Sequence, residues 1–519
     1  MKCNSNIITA LLYDLKLTSK KVIIMNKFPF YYKQKAEVKF VFPKKGINLK
    51  RFFFILLIML SINIVSNAQK VWTLEECIRY ALDNNLQIKR QEIQTEISKN
   101  NFNQSKYSIL PNLVAGGGNV WGFGLYTNPY TNKLTNTPVI SDNIYAQSTL
   151  VLFNGFQQLN TIKQNRYILD KSLQDFEKIK NDITMYVATA YLQILSDEEN
   201  LIVAQQQVEL SNQQTERMLK LFEVGSKSKG DLLVMQASEA NDKFNYVTAK
   251  NNLNISYLTL SQLLEFKSPE GFTIYNPDSL SVDIVKKPTT VDDVYNEAVL
   301  KMPQIKSAEF DLLNNEKGLA IAKGQLSPQV SLSGNYSSGY SNEVKQIKTV
   351  PSAPDTIGFD AVTNVPVITP GYNYTTSNYS FIDQIRNNAY KSLTFNINVP
   401  IFNRFQTRTN ISNAKLKLAD AQYNLEITKK DLYKEIQKAY MDAVSELEKY
   451  NSANESVNSN SEAFKYSQQK YDVGIMSAVD YNLAKTNLIK AKSDLIQSKY
   501  TYIFKMKILD FYRGLPIVL

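Results

Sequence analysis

The chain has 519 residues, with 59 Lys and Arg against 48 Asp and Glu, two cysteines and no histidine. Without histidine there are no His-based triads, His general bases or imidazole metal ligands, so neither an enzyme, a metal site nor a cofactor site is expected. The formal charge of +11 is also local: residues 1–51 hold 12 basic side chains against Asp14 and Glu37, and the other 47 basic and 46 acidic residues nearly balance. A basic pI of this origin gives no reason to expect a nucleic-acid partner.

In chain order, Lys44, Lys45, Lys50 and Arg51 precede an apolar run from Phe52 to Val65, then Ser66-Asn67-Ala68. Basic, apolar and small residues in that order are a secretory signal peptide over residues 47–68, cleaved after Ala68. The apolar run falls short of the ~20 residues that span a bilayer as a helix, which argues against a membrane anchor. Residues 1–46 form an extension unusual upstream of a signal peptide, as if the start were set too early. The mature chain, beginning near Gln69, has no further long apolar run and keeps one cysteine, Cys77, so no intramolecular disulfide forms. Cys77 lies in the helical pattern Leu74-Glu75-Glu76-Cys77-Ile78 and reads as a small buried apolar residue.

Beyond Ala68 one pattern is stated twice, over a first repeat at 73–265 and a second at 290–514. Gln87-Ile88-Lys89 and Leu110-Pro111 return as Gln304-Ile305-Lys306 and Ser327-Pro328. Leu152-Phe153-Asn154 and the run from Phe222 to Asp231 return as Ile401-Phe402-Asn403 and Tyr471 to Asp480 at a larger offset. The change of offset places an insertion inside the second repeat. A unit this long is no solenoid repeat and predicts two similar halves.

Each repeat predicts a helix, a strand pair with a loop, a very long helix, a short break and a return helix. The strands fall at about 112–124, 143–153, 329–341 and 390–402. In the last, Leu393, Phe395, Ile397 and Val399 alternate with Ser392, Thr394, Asn396 and Asn398. Strands of this length suit a tilted membrane barrel, apolar towards lipid and polar towards the lumen, but four are too few to close one. Several copies must pool their strands. Residues 125–142 and 342–389, rich in Asn, Thr, Pro and Tyr, read as irregular surface loops. Trp121, Phe123, Tyr126, Tyr336, Tyr340 and Tyr390 lie near strand ends, where they form either an interfacial girdle or ordinary strand aromatics.

Leu159 to Phe222 contains no Pro or Gly, and apolar residues recur at sevens: Ile162, Leu169, Phe176, Ile183 and Ala190, then Val187, Ile194, Leu201, Val208 and Phe222. Ile411, Leu418, Leu425, Leu432 and Ala439, followed by Tyr450, Val457, Phe464 and Tyr471, repeat the pattern. Sustained heptads predict coiled-coil seams. At 1.5 Å per residue such a helix is on the order of 95 Å long and must be packed along its flank. Gly225 and Gly474 suit the left-handed position that ends it. Ser228 with Asp231, and Ser477 with Asp480, have the spacing of a capping box opening the return helix.

These duplicated Gly-x-x-Ser-x-x-Asp breaks, with Pro111 and Pro328 opening each strand region, resemble TolC-type outer-membrane efflux proteins from Trp72 to Gly514. The resemblance implies an α+β membrane protein: a homotrimer whose duplicated long helices form a periplasmic α-barrel and whose strands, four per chain, share a twelve-stranded β-barrel. It implies the outer-membrane duct of a tripartite efflux or type I secretion system, working with a periplasmic adaptor protein and an inner-membrane pump. By the same resemblance, the turns at Gly225, Ser228, Gly474 and Ser477 dock the adaptor. Asp480 matches an inward-facing acid at the aperture, and Tyr471 and Asp231 match partners in a hydrogen bond of the closed tip. Met476 stands where a relative has a locking Arg, and Leu483 where a second aperture acid would sit.

Two other readings were open to the residues alone. A periplasmic coiled-coil adaptor would share the heptads but lack alternating strands between Pro328 and Phe402. A hydrolase with paired carboxylates needs only Asp and Glu, but no acid pair stands out from helix-surface charge.

Overall fold

The computed structural model describes residues 71–127, 132–276 and 288–518; the extension and the signal segment lie outside the described residues. The first repeat opens on β1 (Val71–Trp72), α1 (Leu74–Asn84) and α2 (Leu86–Tyr107). Helix α1 begins in a closed capping box: Thr73 Oγ1 accepts from the Glu76 amide and the Glu76 carboxylate accepts from the Thr73 amide. Then come β2 (Val114–Gly122), the short pair β3 (Tyr126–Thr127) and β4 (Leu134–Thr135), and β5 (Val139–Phe153). The long helix α3 (Gln157–Glu223) and its return α4 (Lys229–Leu263) follow, with β6 (Thr273–Ile274) pairing in parallel with β1.

The second repeat runs α5 (Val291–Lys301), α6 (Pro303–Gly324), β7 (Gln329–Ser341), β8 (Lys345–Phe359), β9 (Pro366–Asn378), α7 (Phe381–Asn387), β10 (Tyr390–Asn398), α8 (Gln406–Asp472) and α9 (Ala478–Tyr512). Corresponding helices match residue for residue in length: α1 and α5 have 11, α2 and α6 have 22, α3 and α8 have 67, α4 and α9 have 35.

Strands β10, β7, β5 and β2 form one antiparallel sheet in that order. Its register lines Phe395, Leu332 and Leu150 in one row and Thr394, Ser333 and Thr149 in the next. One face is therefore apolar and the other polar, because successive side chains alternate across a strand. Among the described residues no other element covers the apolar face at β10, where Leu393, Phe395 and Ile397 are exposed. Both edges, β2 and β10, are open.

Strand β5 begins earlier than the sequence suggests. The stretch 342–389, expected to be irregular, folds into the antiparallel hairpin β8–β9 and helix α7. Prolines 351, 354, 366 and 370 and many Asn and Thr residues hide its alternation from a composition reading.

Each strand pair feeds its long helix through the same joint. Gly155 and Phe156 take φ of 65° and 59°, and Arg404 and Phe405 take 56° and 62°, all left-handed. Phe153 meets Phe156, and Phe402 meets Phe405, edge to face at 5.4 Å. The echo of Leu-Phe-Asn in Ile-Phe-Asn marks this joint.

The main core joins the repeats. Cys77, Ile183, Val187, Tyr191, Ile194 and Leu260 of the first are buried with Ile496, Tyr500 and Ile503 of the second. Cys77 is fully buried, as its apolar setting predicts. A second core packs Val294, Ala298 and Ile305 against Leu425, Leu432 and Ile436 of α8.

Candidate functional site

The heptads carry α3 and α8 to two turns that lie side by side, and both turns are built alike. Helix α3 ends in a Schellman motif: Ser226 N donates to Leu221 O and Gly225 N to Phe222 O, with Gly225 at φ +75°. Helix α8 ends in the same motif at Gly474, φ +81°, with Ile475 N donating to Lys470 O and Gly474 N to Tyr471 O. Each return helix is then capped by serine: Ser228 Oγ accepts from Asp231 N at 3.0 Å and Ser477 Oγ from Asp480 N at 3.1 Å.

The reciprocal half of the expected capping box takes another form. The Asp231 and Asp480 carboxylates accept from the same serine hydroxyls, at 2.9 and 2.7 Å, and not from the N-cap amide. Aspartate is one methylene shorter than glutamate, whereas Glu76 does reach back to its cap amide. Each Ser–Asp pair is thereby closed on itself, with Asp231 half-buried and Asp480 exposed.

Between the turns sits a small core of Met218, Leu232, Met235, Tyr471, Ala478 and Tyr481. Tyr471 and Tyr481 stack at 4.6 Å with ring planes 23° apart. The tip hydrogen bond that the resemblance implies between Tyr471 and Asp231 is not formed. Asp231 is engaged by Ser228, and the Tyr471 hydroxyl is buried without a hydrogen-bond partner. Burial first, and then the nearby Asp231 charge, push the Tyr471 phenol up to about 12, so it is a neutral donor at physiological pH.

An ion pair links the repeats at the mouth of this core, from Arg217 of α3 to Asp472 of α8. Beside it lies a cavity of about 200 Å³, lined by Gln214, Arg217, Lys227, Tyr471 and Gly474 among others. The Gln214 side-chain oxygen is also buried without a partner. The cavity is thus lined by the Arg217–Asp472 ion pair and the Lys227 cation, with the Tyr471 phenol and the Gln214 amide oxygen buried in its wall. Met476 packs against the core. Leu483, on α9, is exposed.

Farther along the return helices, Lys485 donates to Asp242 at 2.5 Å, with the two side chains only 4% and 6% exposed. Ser238 donates to Asn482 at 3.2 Å one turn nearer the tip. Sequence reading missed both ion pairs. The second has a signal: Asp242 lies seven after buried Met235, and Lys485 seven after buried Ala478, so each charge occupies a slot of an apolar stripe. Arg217 and Asp472 lie on exposed helix surface and carry no such signal. Among the described residues no acid cluster could hold a metal ion, and no helix is long and apolar enough to cross a membrane.

Comparison with known proteins adds to this geometry. The family model described as outer membrane efflux protein matches residues 77–264 and 294–504, one span in each repeat. The outer membrane protein TolC of Salmonella enteritidis is 20% identical over 460 residues, which cover 88% of this chain and 85% of that protein. TolC of Escherichia coli is 21% identical over 450 residues, covering 86% and 83%. The crystal structure of the Campylobacter jejuni CmeC outer membrane channel matches with a TM-score of 0.67 at 18% identity, covering 85% of each chain. At that identity the structural match speaks for the fold.

Proposed function

Because this chain belongs to the outer membrane efflux protein family, we propose that it is an outer-membrane exit duct, passing cargo delivered from the periplasm or by an inner-membrane pump in a tripartite efflux or type I secretion system. The observation that carries this reading is the four-stranded sheet with an uncovered apolar face and two open edges, joined to helices of 67 residues. Lipid offers no hydrogen bonds to an open edge, so copies must join edge to edge until the barrel closes. Three chains supply twelve strands, and the helices beneath them wall one conduit. The sheet speaks against a soluble adaptor, since its strands occupy the span between Pro328 and Phe402 that an adaptor would leave without them.

Within this duct the mature chain begins near Gln69. The turns at Gly225, Ser228, Gly474 and Ser477 face the periplasm and dock the adaptor. Asp480 is exposed at the start of α9, and three copies of it around one axis give an acidic ring that attracts cations. Tyr471 and Asp231 belong to the same aperture, Tyr471 through its stack on Tyr481 and Asp231 through its cap on Ser228.

The test is native mass in detergent followed by planar-bilayer recording of wild type and Asp480→Asn. A trimer that conducts, and that loses cation preference and block by multivalent cations in Asp480→Asn without losing assembly, is the expected result. A stable monomer or dimer would overturn the duct. An intact trimer with unchanged selectivity and block would leave Asp480 as a helix cap alone.

A further inference from the structure

The hairpin β8–β9 leaves the sheet at the end of β7 opposite α6, so it stands at the far end of the strands from the long helices. Its root is fixed. The Gln384 amide of α7, fully buried, donates to Ser341 O and Tyr379 O and accepts from Ser341 N, each at 3.0 Å. Ser338 donates to Ile385 O at 2.6 Å and Asn388 to Gly339 O at 2.8 Å. Its turn is fixed too, because the Asp360 carboxylate accepts from the amides of Val362 and Thr363 and from the Thr363 hydroxyl.

Between root and turn the hairpin is two-faced. The register sets Ile347 opposite Thr376, Thr349 opposite Tyr374 and Pro351 opposite Tyr372 on one face. Gln346, Lys348 and Ser352, with Asn373, Thr375 and Ser377, share the other with Val350. Alternation of this kind is the mark of a ribbon with one face covered, yet Ile347, Tyr372 and Tyr374 are 65%, 49% and 71% exposed in the single chain. A two-stranded ribbon alone is marginal in water, so the apolar face requires an occupant.

We propose that the occupant is the same face of the other copies: three hairpins pack Ile347, Tyr372 and Tyr374 together over the outer mouth of the barrel as a cap. The inference rests on the trimeric duct reading above. Three observations favour a second copy over another partner. The hairpin returns through α7 into β10, an open edge at which copies join, so three hairpins rise around one axis. Beyond Lys345 at the root, the apolar face carries no charge, β9 has none in 13 residues, and identical faces can meet without burying like charges. Prolines 351, 354, 366 and 370 stud both strands and block strand addition, so an occupant must cover the face and not extend the edge.

The test places one cysteine in the full chain, at Tyr374 on the apolar face or at Lys348 on the polar face, and oxidises it in outer-membrane vesicles. Native Cys77 is buried and serves both variants as background. Tyr374→Cys is expected to shift to a disulfide-linked dimer on a non-reducing gel. Lys348→Cys is expected to stay monomeric and to take a membrane-impermeant maleimide. Ile347→Cys reports the same face should Tyr374→Cys assemble poorly. In a trimer verified by native mass, free maleimide labelling of both apolar-face cysteines overturns the cap and leaves the duct standing. Protection from maleimide without cross-linking would put another occupant there and overturn it as well. Absence of the trimer would overturn the duct reading, and the cap with it.

Discussion

The Asp242–Lys485 pair is the most consequential side-chain feature between the return helices. Removing one partner of a buried ion pair strands the other charge, at a cost of about 3–5 kcal/mol. Lys485→Ala should therefore lower the thermal unfolding midpoint strongly, and Asp242→Leu combined with Lys485→Met should recover most of the loss. Circular-dichroism melts of wild type and the two variants check this; a double variant no more stable than Lys485→Ala would mean the charges do more than satisfy one another. Tyr471 gives a second expectation, in pH. Its folded pKa, about 12, is raised above the ordinary value of 10, so the neutral phenol favours the folded state. That contribution is complete below pH 10 and is lost as pH rises towards 12. In an alkaline titration followed by phenolate absorbance, Tyr471→Phe should remove one late-ionising tyrosine.

The positive-φ glycines differ by element, and substitution separates the reasons. Gly474 has nothing within 4 Å of the position a Cβ would take, so Gly474→Ala meets only the left-handed backbone penalty, about 1–2 kcal/mol. Gly155 has a similar φ, but a Cβ there would lie 2.4 Å from Gly324 O. Gly155→Ala should thus be far more damaging in melts and assembly yield. Arg404 holds the equivalent place in the second repeat at φ 56°, which shows that close approach, not conformation, selects glycine at 155. In the sheet, Phe395→Arg should cost up to about 2–4 kcal/mol if it meets the bilayer midplane, whereas Asn396→Arg should be mild. Equal yields of assembled protein would mean the two faces are misassigned.

The same elements show what the sequence could disclose. Helix ends and strand faces were legible because Gly225, Ser228 and the alternation of Leu393 to Asn398 act within a few residues of themselves. The β8–β9 hairpin was not, because its prolines and bulges break the period that marks a strand. Nor was the partner of Lys485, since pairing it with Asp242 depends on which helices lie side by side. The unformed Tyr471–Asp231 bond has a different cause, a local one: Ser228, three residues before Asp231, holds the carboxylate.

For the whole molecule, the main core decides cooperativity. Ile496, Tyr500 and Ile503 of the second repeat complete a cluster otherwise made by the first, and β6 ties the end of the first repeat to β1 at its beginning. Residues 69–276 and 288–519 expressed apart should therefore each be protease-sensitive, while their co-expression restores resistance. Resistance of either half alone would show that the duplication left two independent folding units.

The equal helix lengths carry one more implication, for how such a chain can change over generations. Copies of 11, 22, 67 and 35 residues have stayed in step, while the span between β7 and β10 has taken in a hairpin. Adding a heptad to one shaft would leave its turn standing proud of the other, and the rim shared by both would be stepped. Length in the shafts is therefore inherited as a matched pair, and an insertion in one repeat survives only when the other answers it. The outer rim has no such counterpart to match, and there the lineage is free to lengthen.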